Sequence, residues 1–80
     1  MPTIEWKEPI EIQLGLIGTR KVEGPFEALI YLIDNWPNRS GPDFVKAKVT
    51  CKAAVEGRVD AELARRDFIA AAKEVHCYMN

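Results

Sequence analysis

The stretch IEIQLGLIGTRKVEGPFEALIYLIDNWP, residues 10–37, decides the fold of this protein. Apolar and polar residues alternate in its first half, with the apolar ones at Ile10, Ile12, Leu14 and Leu16. This period of two predicts a strand over residues 10–16 with one buried face. We expect a tight turn over residues 17–20, around Gly18, and a short return strand over residues 20–23. Together these segments predict an N-terminal β-hairpin.

A helix is predicted directly after the hairpin. Proline suits the first helical position, so Gly24 and Pro25 indicate the start, and the helix should end before Pro37. The spacing predicts a buried stripe formed by Phe26, Leu29, Ile30, Ile33 and Trp36. Tyr31 and Leu32 widen this stripe, so we expect most of the helix surface to be covered.

Two further helices follow in the remaining sequence. Pro42 and Asp43 indicate the start of the second helix, and Gly57 suits its C-terminal end. Its predicted inner residues are Phe44, Ala47, Cys51, Ala54 and Val55. Asp60 is a predicted N-cap for the third helix. Its inner residues should be Ala61, Ala64, Phe68, Ala71, Ala72 and Val75, and its mostly solvated residues Arg65, Arg66, Asp67, Lys73 and Glu74.

The last residues alternate again, with Val75, Cys77 and Met79 apolar. This alternation predicts a short C-terminal strand beside the hairpin. The predicted fold is therefore α+β, with an N-terminal β-hairpin, three helices packed on one face and a short C-terminal strand. We expect a single domain over residues 1–80.

The composition is that of a folded, soluble protein of 80 residues, with 48% hydrophobic and 29% charged residues. The N-terminus lacks a secretion signal and no apolar run is long enough to span a membrane, so we expect a cytoplasmic protein without membrane contacts. So short a chain forms only a small core, and a second copy is the expected source of further stability.

Charge is unevenly distributed, although the net charge is only -1. Residues 1–37 carry three basic and six acidic groups, whereas residues 38–66 carry seven basic and four acidic ones. The second and third helices, residues 42–75, loosely resemble a helix-turn-helix, which leaves nucleic-acid binding as an alternative function. The residues that would contact phosphates are Lys46, Lys48, Lys52, Arg58, Arg65 and Arg66. Acidic residues on the third helix oppose this interpretation, so we expect no nucleic-acid partner.

An enzyme is not expected from this sequence. His76 and Cys77 are neighbours whose side chains would point to opposite faces of a strand, and Cys51 is predicted to be a buried apolar residue. The acidic residues are too dispersed to hold a metal ion, and no glycine-rich loop is present to bind phosphate. We therefore predict no catalytic residue, metal or cofactor, and no disulfide between the two cysteines.

The leading hypothesis is a non-enzymatic protein-interaction domain that forms a homodimer, with an unidentified protein partner as a further option. The expected contact residues are Tyr31, Leu32, Trp36 and Arg39, because tryptophan and arginine are frequent in interface hot spots. For Trp36 a core position at the end of the first helix is the favoured alternative, because large aromatic residues in so small a domain are mostly needed for packing.

Residues spread over almost the whole sequence together form a recognisable pattern: Trp6, Gly18-Thr19-Arg20, Glu27-Ala28-Leu29, Leu32, Trp36-Pro37, Ala47, Cys51, Ala54, Gly57, Ala64-Arg65, Phe68 and Ala71-Ala72. In these residues the sequence resembles the family catalogued as domain of unknown function 982, short proteins of rhizobia and related alphaproteobacteria. The resemblance covers about residues 6–79. It implies a stand-alone bacterial cytoplasmic domain and brings no activity, cofactor or catalytic residue with it. It also implies that Arg20 and Arg65 are polar positions, which we interpret as structural ion-pair partners.

Overall fold

The apolar face of the N-terminal hairpin packs against three helices. The computed structural model describes residues 4–79. Strands β1 (Ile10–Gln13) and β2 (Thr19–Val22) pair antiparallel, with Ile10 opposite Val22. Ile10, Ile12 and Val22 are fully buried, as the alternation predicts. Helices α1 (Pro25–Asp34), α2 (Pro42–Val55) and α3 (Ala61–Glu74) follow, which confirms the predicted α+β class.

The turn of the hairpin is longer than expected. Strand β1 ends at Gln13, and a 3₁₀ turn (Gly15–Ile17) precedes β2. Gly15 and Gly18 both have positive φ values, 51° and 79°, which take the backbone out of the extended region. The predicted strand over residues 10–16 is therefore too long, and Leu16 lies fully exposed at the tip of the hairpin.

The C-terminal residues pair with β1 through a single bridge instead of a strand. Tyr78 lies opposite Ile12, the Gln13 amide donates to the Cys77 carbonyl at 2.9 Å, and the Met79 amide donates to the Glu11 carbonyl at 3.1 Å. His76, with φ at +59°, turns the chain from the end of α3 toward this position. Cys77 is buried here and Met79 is exposed.

Helix α1 turns a different face to the core from the one predicted. Its buried residues are Pro25, Ala28 and Leu32, whereas Phe26, Ile30 and Ile33 are exposed. The predicted stripe is therefore wrong for Phe26, Ile30 and Ile33, by about a third of a helical turn, whereas Trp36 just after the helix is buried as predicted. The only charged residues of α1, Glu27 and Asp34, lie seven residues apart on one narrow side of the helix, so the polar signal that marks its outer side is weak.

Helices α2 and α3 pack closely through small residues. Ala47, Ala54, Ala64 and Ala71 are all buried, as predicted, and the Asp60 side chain caps α3 by accepting from the Glu62 amide at 2.9 Å.

Asp67 was predicted to be solvated, and this prediction is wrong. Its carboxylate is buried against α2, where the Thr50 hydroxyl donates to it at 2.7 Å. Lys46 and Arg66 lie 3.9 and 3.7 Å from the same carboxylate, so the buried charge has a donor and two cationic neighbours.

The centre of the core is an aromatic group. The Phe68 ring is fully buried, with the rings of Trp36 and Trp6 at centroid distances of 5.3 and 6.0 Å. The Trp6 indole also donates to the Ala61 carbonyl at 2.7 Å, which attaches the segment before β1 to the first turn of α3. Among the described residues, no helix is long and apolar enough to cross a membrane.

Candidate interaction site

The outer side of α1 carries three exposed apolar side chains. Phe26, Ile30 and Ile33 follow one another at spacings of four and three residues, so they share one face of the helix. Their exposed fractions are 53%, 41% and 46%. We call these three residues the α1 apolar face. Aligned side chains of this size leave a continuous apolar strip in contact with water.

Carboxylates border one end of this face. Glu5, Glu23, Gly24, Phe26 and Glu27 line a pocket of about 140 Å³, which we call the acidic pocket. Glu27 accepts a hydrogen bond from the Glu23 amide at 2.8 Å, which holds its carboxylate at the start of α1. The pocket is therefore lined by three acidic residues and by the aromatic residue Phe26.

The segment before β1 fixes the back of the acidic pocket. The Trp6 amide donates to the Glu23 carbonyl at 2.7 Å, so this segment runs beside the end of β2. The Gly24 backbone lies against the Ile4 carbonyl, where a Cβ atom at residue 24 would clash. A glycine at this position is needed for the close approach, since no side chain fits between the two backbones.

The outer side of α2 is both apolar and basic. Val45 and Val49 are more than half exposed, and Lys48 and Lys52 lie beside them at helical spacings of three residues. We call these four residues the α2 outer face. Within residues 4–79, neither lysine forms an ion pair. Both ammonium groups are therefore available to a partner.

The residues predicted to contact a partner do not form one surface. Leu32 and Trp36 are buried in the core, Tyr31 is half-buried against it, and Arg39 is exposed in the loop before α2. The Trp36 Nε1 is buried without a hydrogen-bond partner among the described residues. Leu32 and Trp36 therefore have core positions, and the exposed apolar residues of α1 are those that the sequence placed inside.

The basic residues of the nucleic-acid alternative are also separated by their contacts. Lys46 and Arg66 lie beside Asp67, and Arg58 pairs with Glu56 at 2.6 Å. Arg65 donates to the Glu8 carbonyl at 2.9 Å, a backbone contact instead of the ion pair expected from the family resemblance. The two remaining lysines are those of the α2 outer face.

Comparison of this sequence with known protein families identifies the family of the chain. Residues 8–79 match the family described as "Protein of unknown function (DUF982)". The chain belongs to this family. A solved structure of similar fold is that of the Agrobacterium tumefaciens protein Atu1219, determined by NMR, with 34% sequence identity to this chain and a TM-score of 0.79. The similarity covers 96% of this chain and 77% of the Agrobacterium protein. A search of curated proteins finds no match to this sequence.

The residues that carry the resemblance to DUF982 are mostly core residues of this structure. Trp6, Ala28, Leu32, Trp36 and Phe68 are all buried. The α1 apolar face, by contrast, contributes none of the residues on which the resemblance rests. Membership in DUF982 therefore accounts for the fold, while the exposed faces must be interpreted from their own chemistry.

Both cysteines of this DUF982 protein are free and buried. Burial, with a smaller contribution from the Asp67 charge, raises the pKa of Cys51 to about 12. Burial also raises the pKa of Cys77. Within the described residues, no group of three histidine, cysteine or acidic side chains is placed to hold a metal ion. A thiol with a raised pKa stays protonated at neutral pH and is a poor nucleophile.

Proposed function

We propose that this protein is a non-enzymatic interaction domain that binds a second copy of itself through the α1 apolar face. The observation that carries the proposal is the exposure of Phe26, Ile30 and Ile33 on one side of a single helix. A small domain gains from covering such a strip, because removing apolar surface from water is favourable. The protonated, buried Cys51 supports the non-enzymatic part of the proposal.

The expected strength of this association is modest. Complete burial of a large apolar side chain contributes about 1.5–3 kcal/mol, so a half-exposed one contributes about 1 kcal/mol. Three such residues from each of two copies contribute about 6 kcal/mol, while association costs about 4–15 kcal/mol. The α1 apolar face alone would therefore give a weak dimer, and contacts beside it must add to the affinity.

The test compares two substitutions, each of which replaces an exposed apolar residue with aspartate. Ile30→Asp places a carboxylate in the middle of the α1 apolar face, whereas Leu16→Asp places one at the tip of the hairpin. Light scattering at increasing concentration should give twice the 9.0 kDa chain mass for the natural protein and for Leu16→Asp. Ile30→Asp should stay at the single-chain mass with an unchanged circular dichroism spectrum. A natural protein that remains at 9.0 kDa at high concentration would contradict the proposal.

Nucleic-acid binding is the alternative, and it stays a prediction. Only Lys48 and Lys52 among its six basic residues lack a hydrogen bond or ion pair to the described chain. Phosphate contacts make affinity fall steeply with salt, so a salt titration on random duplex DNA tests it. Retention at low salt that is lost in Lys48→Ala would favour this alternative over self-association.

We further propose a cytoplasmic setting for this domain. Both cysteines are free, which is typical of a reducing compartment, because oxidising compartments favour disulfides.

A further inference from the structure

Two exposed faces of this chain are complementary in charge and alike in apolar character. The α1 apolar face ends at the acidic pocket, which Glu5, Glu23 and Glu27 line together with Phe26. The α2 outer face has two exposed valines beside two lysines that form no ion pair within residues 4–79. Each face therefore offers the charge that the other lacks, next to a similar strip of apolar side chains.

We propose that these two faces bind each other in a pair of copies. The α1 apolar face and acidic pocket of one copy hold the α2 outer face of the other, and a two-fold axis repeats the contact. The lysine stems would pack on Phe26 while their ammonium groups meet the carboxylates of the pocket. This inference rests on the proposed self-association and specifies which surfaces meet.

The same faces cannot meet within one chain. Helices α1 and α2 already pack against each other, with Leu32, Phe44 and Cys51 buried in the shared core. Their outer sides therefore point away from this contact, and a second copy is required to bring an α1 apolar face onto an α2 outer face.

Charge also favours this arrangement over contact between two α1 faces. A dimer built on α1 alone places each acidic pocket either against the other pocket, where like charges are unfavourable, or against the C-terminal end of the other α1, whose last turn has no basic residue. Contact between α1 and α2 gives each pocket two lysines as partners, and it adds Val45 and Val49 to the buried apolar surface.

Charge reversal on each face provides the test. Glu5→Lys with Glu23→Lys changes the charge of the acidic pocket from -3 to +1, and Lys48→Glu with Lys52→Glu changes that of the α2 outer face from +2 to -2. Each double variant alone should self-associate about tenfold more weakly, because both contacts of its dimer become repulsive. An equal mixture of the two double variants should form a heterodimer of higher affinity than either variant alone, since both of its contacts join opposite charges. Sedimentation velocity with a fluorescent label on one variant measures this.

Glu8→Lys with Glu62→Lys is the matched control, because it makes the same two charge changes on exposed residues outside both faces. It should self-associate like the natural protein, and its mixture with the lysine-reversed variant should bind more weakly than the mixture that contains the reversed pocket. Added salt should weaken the natural dimer by screening the charge pairs.

The outcomes separate this inference from the proposed function. If reversing both lysines leaves self-association unchanged while Ile30→Asp abolishes it, the dimer stands and the α1-to-α2 contact is wrong. If the mixture of reversed variants does not associate, the contact is also wrong. A natural protein that is monomeric at every concentration overturns both.

Discussion

The pKa of the Cys51 thiol depends on what surrounds the side chain. Burial first, and the negative charge of Asp67 second, raise the pKa of its thiol from the ordinary value of 9.0 to about 12. Both effects disfavour the thiolate, so the folded protein holds the Cys51 proton more strongly than the unfolded chain does. This difference links the stability of the fold to pH.

We expect the Cys51 contribution to stability to be constant below about pH 8. It should be lost as the pH rises from 9.0 toward 12, because the unfolded thiol ionises first while the folded one stays protonated. The free energy of unfolding in urea, measured from pH 7 to pH 11, should therefore fall more steeply for the natural protein than for Cys51→Ala.

Alkylation of the cysteines gives the second readout of this prediction. Iodoacetamide should label Cys51 slowly in the folded protein at neutral pH and rapidly in urea, since a protonated, buried thiol is a poor nucleophile. Rapid labelling of Cys51 in the folded state would contradict the raised pKa and would reopen the question of a thiol-based activity.

At the scale of elements, helix α2 obtains its N-terminal cap from another helix. Its N-cap residue Gly41 has no side chain to accept from the first free amides. The carboxylate of Glu74, in the last turn of α3, accepts from the Asp43 and Phe44 amides at 3.1 and 3.2 Å. A Cβ atom on Gly41 would occupy the space of this carboxylate. Gly41 thus leaves the space in which the Glu74 carboxylate caps α2.

Glu74→Ala should therefore destabilise the protein by about 1 kcal/mol, the usual effect of removing an N-terminal cap. Glu74→Gln is the matched variant, because its amide oxygen can still accept a hydrogen bond, and it should lose less stability. Urea unfolding followed by circular dichroism measures both. Equal stability of Glu74→Ala and the natural protein would argue against a capping role.

Much of the element structure is predictable from local patterns. Pro25 and Pro42 start their helices, Asp60 caps α3, and the inner face of α2 follows its spacing, because each of these signals depends on a few neighbouring residues. The Glu74 cap is not predictable in this way, since it joins residues 41–44 to a residue far along the chain.

The orientation of α1 could not be predicted for a different physical reason. A spacing pattern identifies which residues share a face, but the only charged residues of α1, Glu27 and Asp34, mark one narrow side and leave two neighbouring apolar faces to choose from. Packing then selects Ala28 and Leu32 for the core and leaves Phe26, Ile30 and Ile33 outside. The sequence predicted that α1 has more apolar surface than one small domain covers, and it assigned that surface to the wrong residues.

At the scale of the whole molecule, self-association should appear in thermal stability. A partner that binds only the folded state raises the melting temperature as its concentration rises. For a dimer of this chain length we expect an increase of about 3–5 °C for each tenfold rise in protein concentration. Differential scanning fluorimetry over a hundredfold range measures this shift. Ile30→Asp should melt at one temperature throughout, and the same behaviour in the natural protein would contradict a dimer.

The bridge between Ile12 and Tyr78 has a consequence for the order in which the molecule can fold. Strand β1 lies near the start of the chain, yet the Cys77 carbonyl and the Met79 amide occupy its second edge. During synthesis, β1 and β2 leave the ribosome long before these partners have been made. One edge of β1 must therefore stay open through most of translation, and contacts so distant in sequence slow the final closure of the fold.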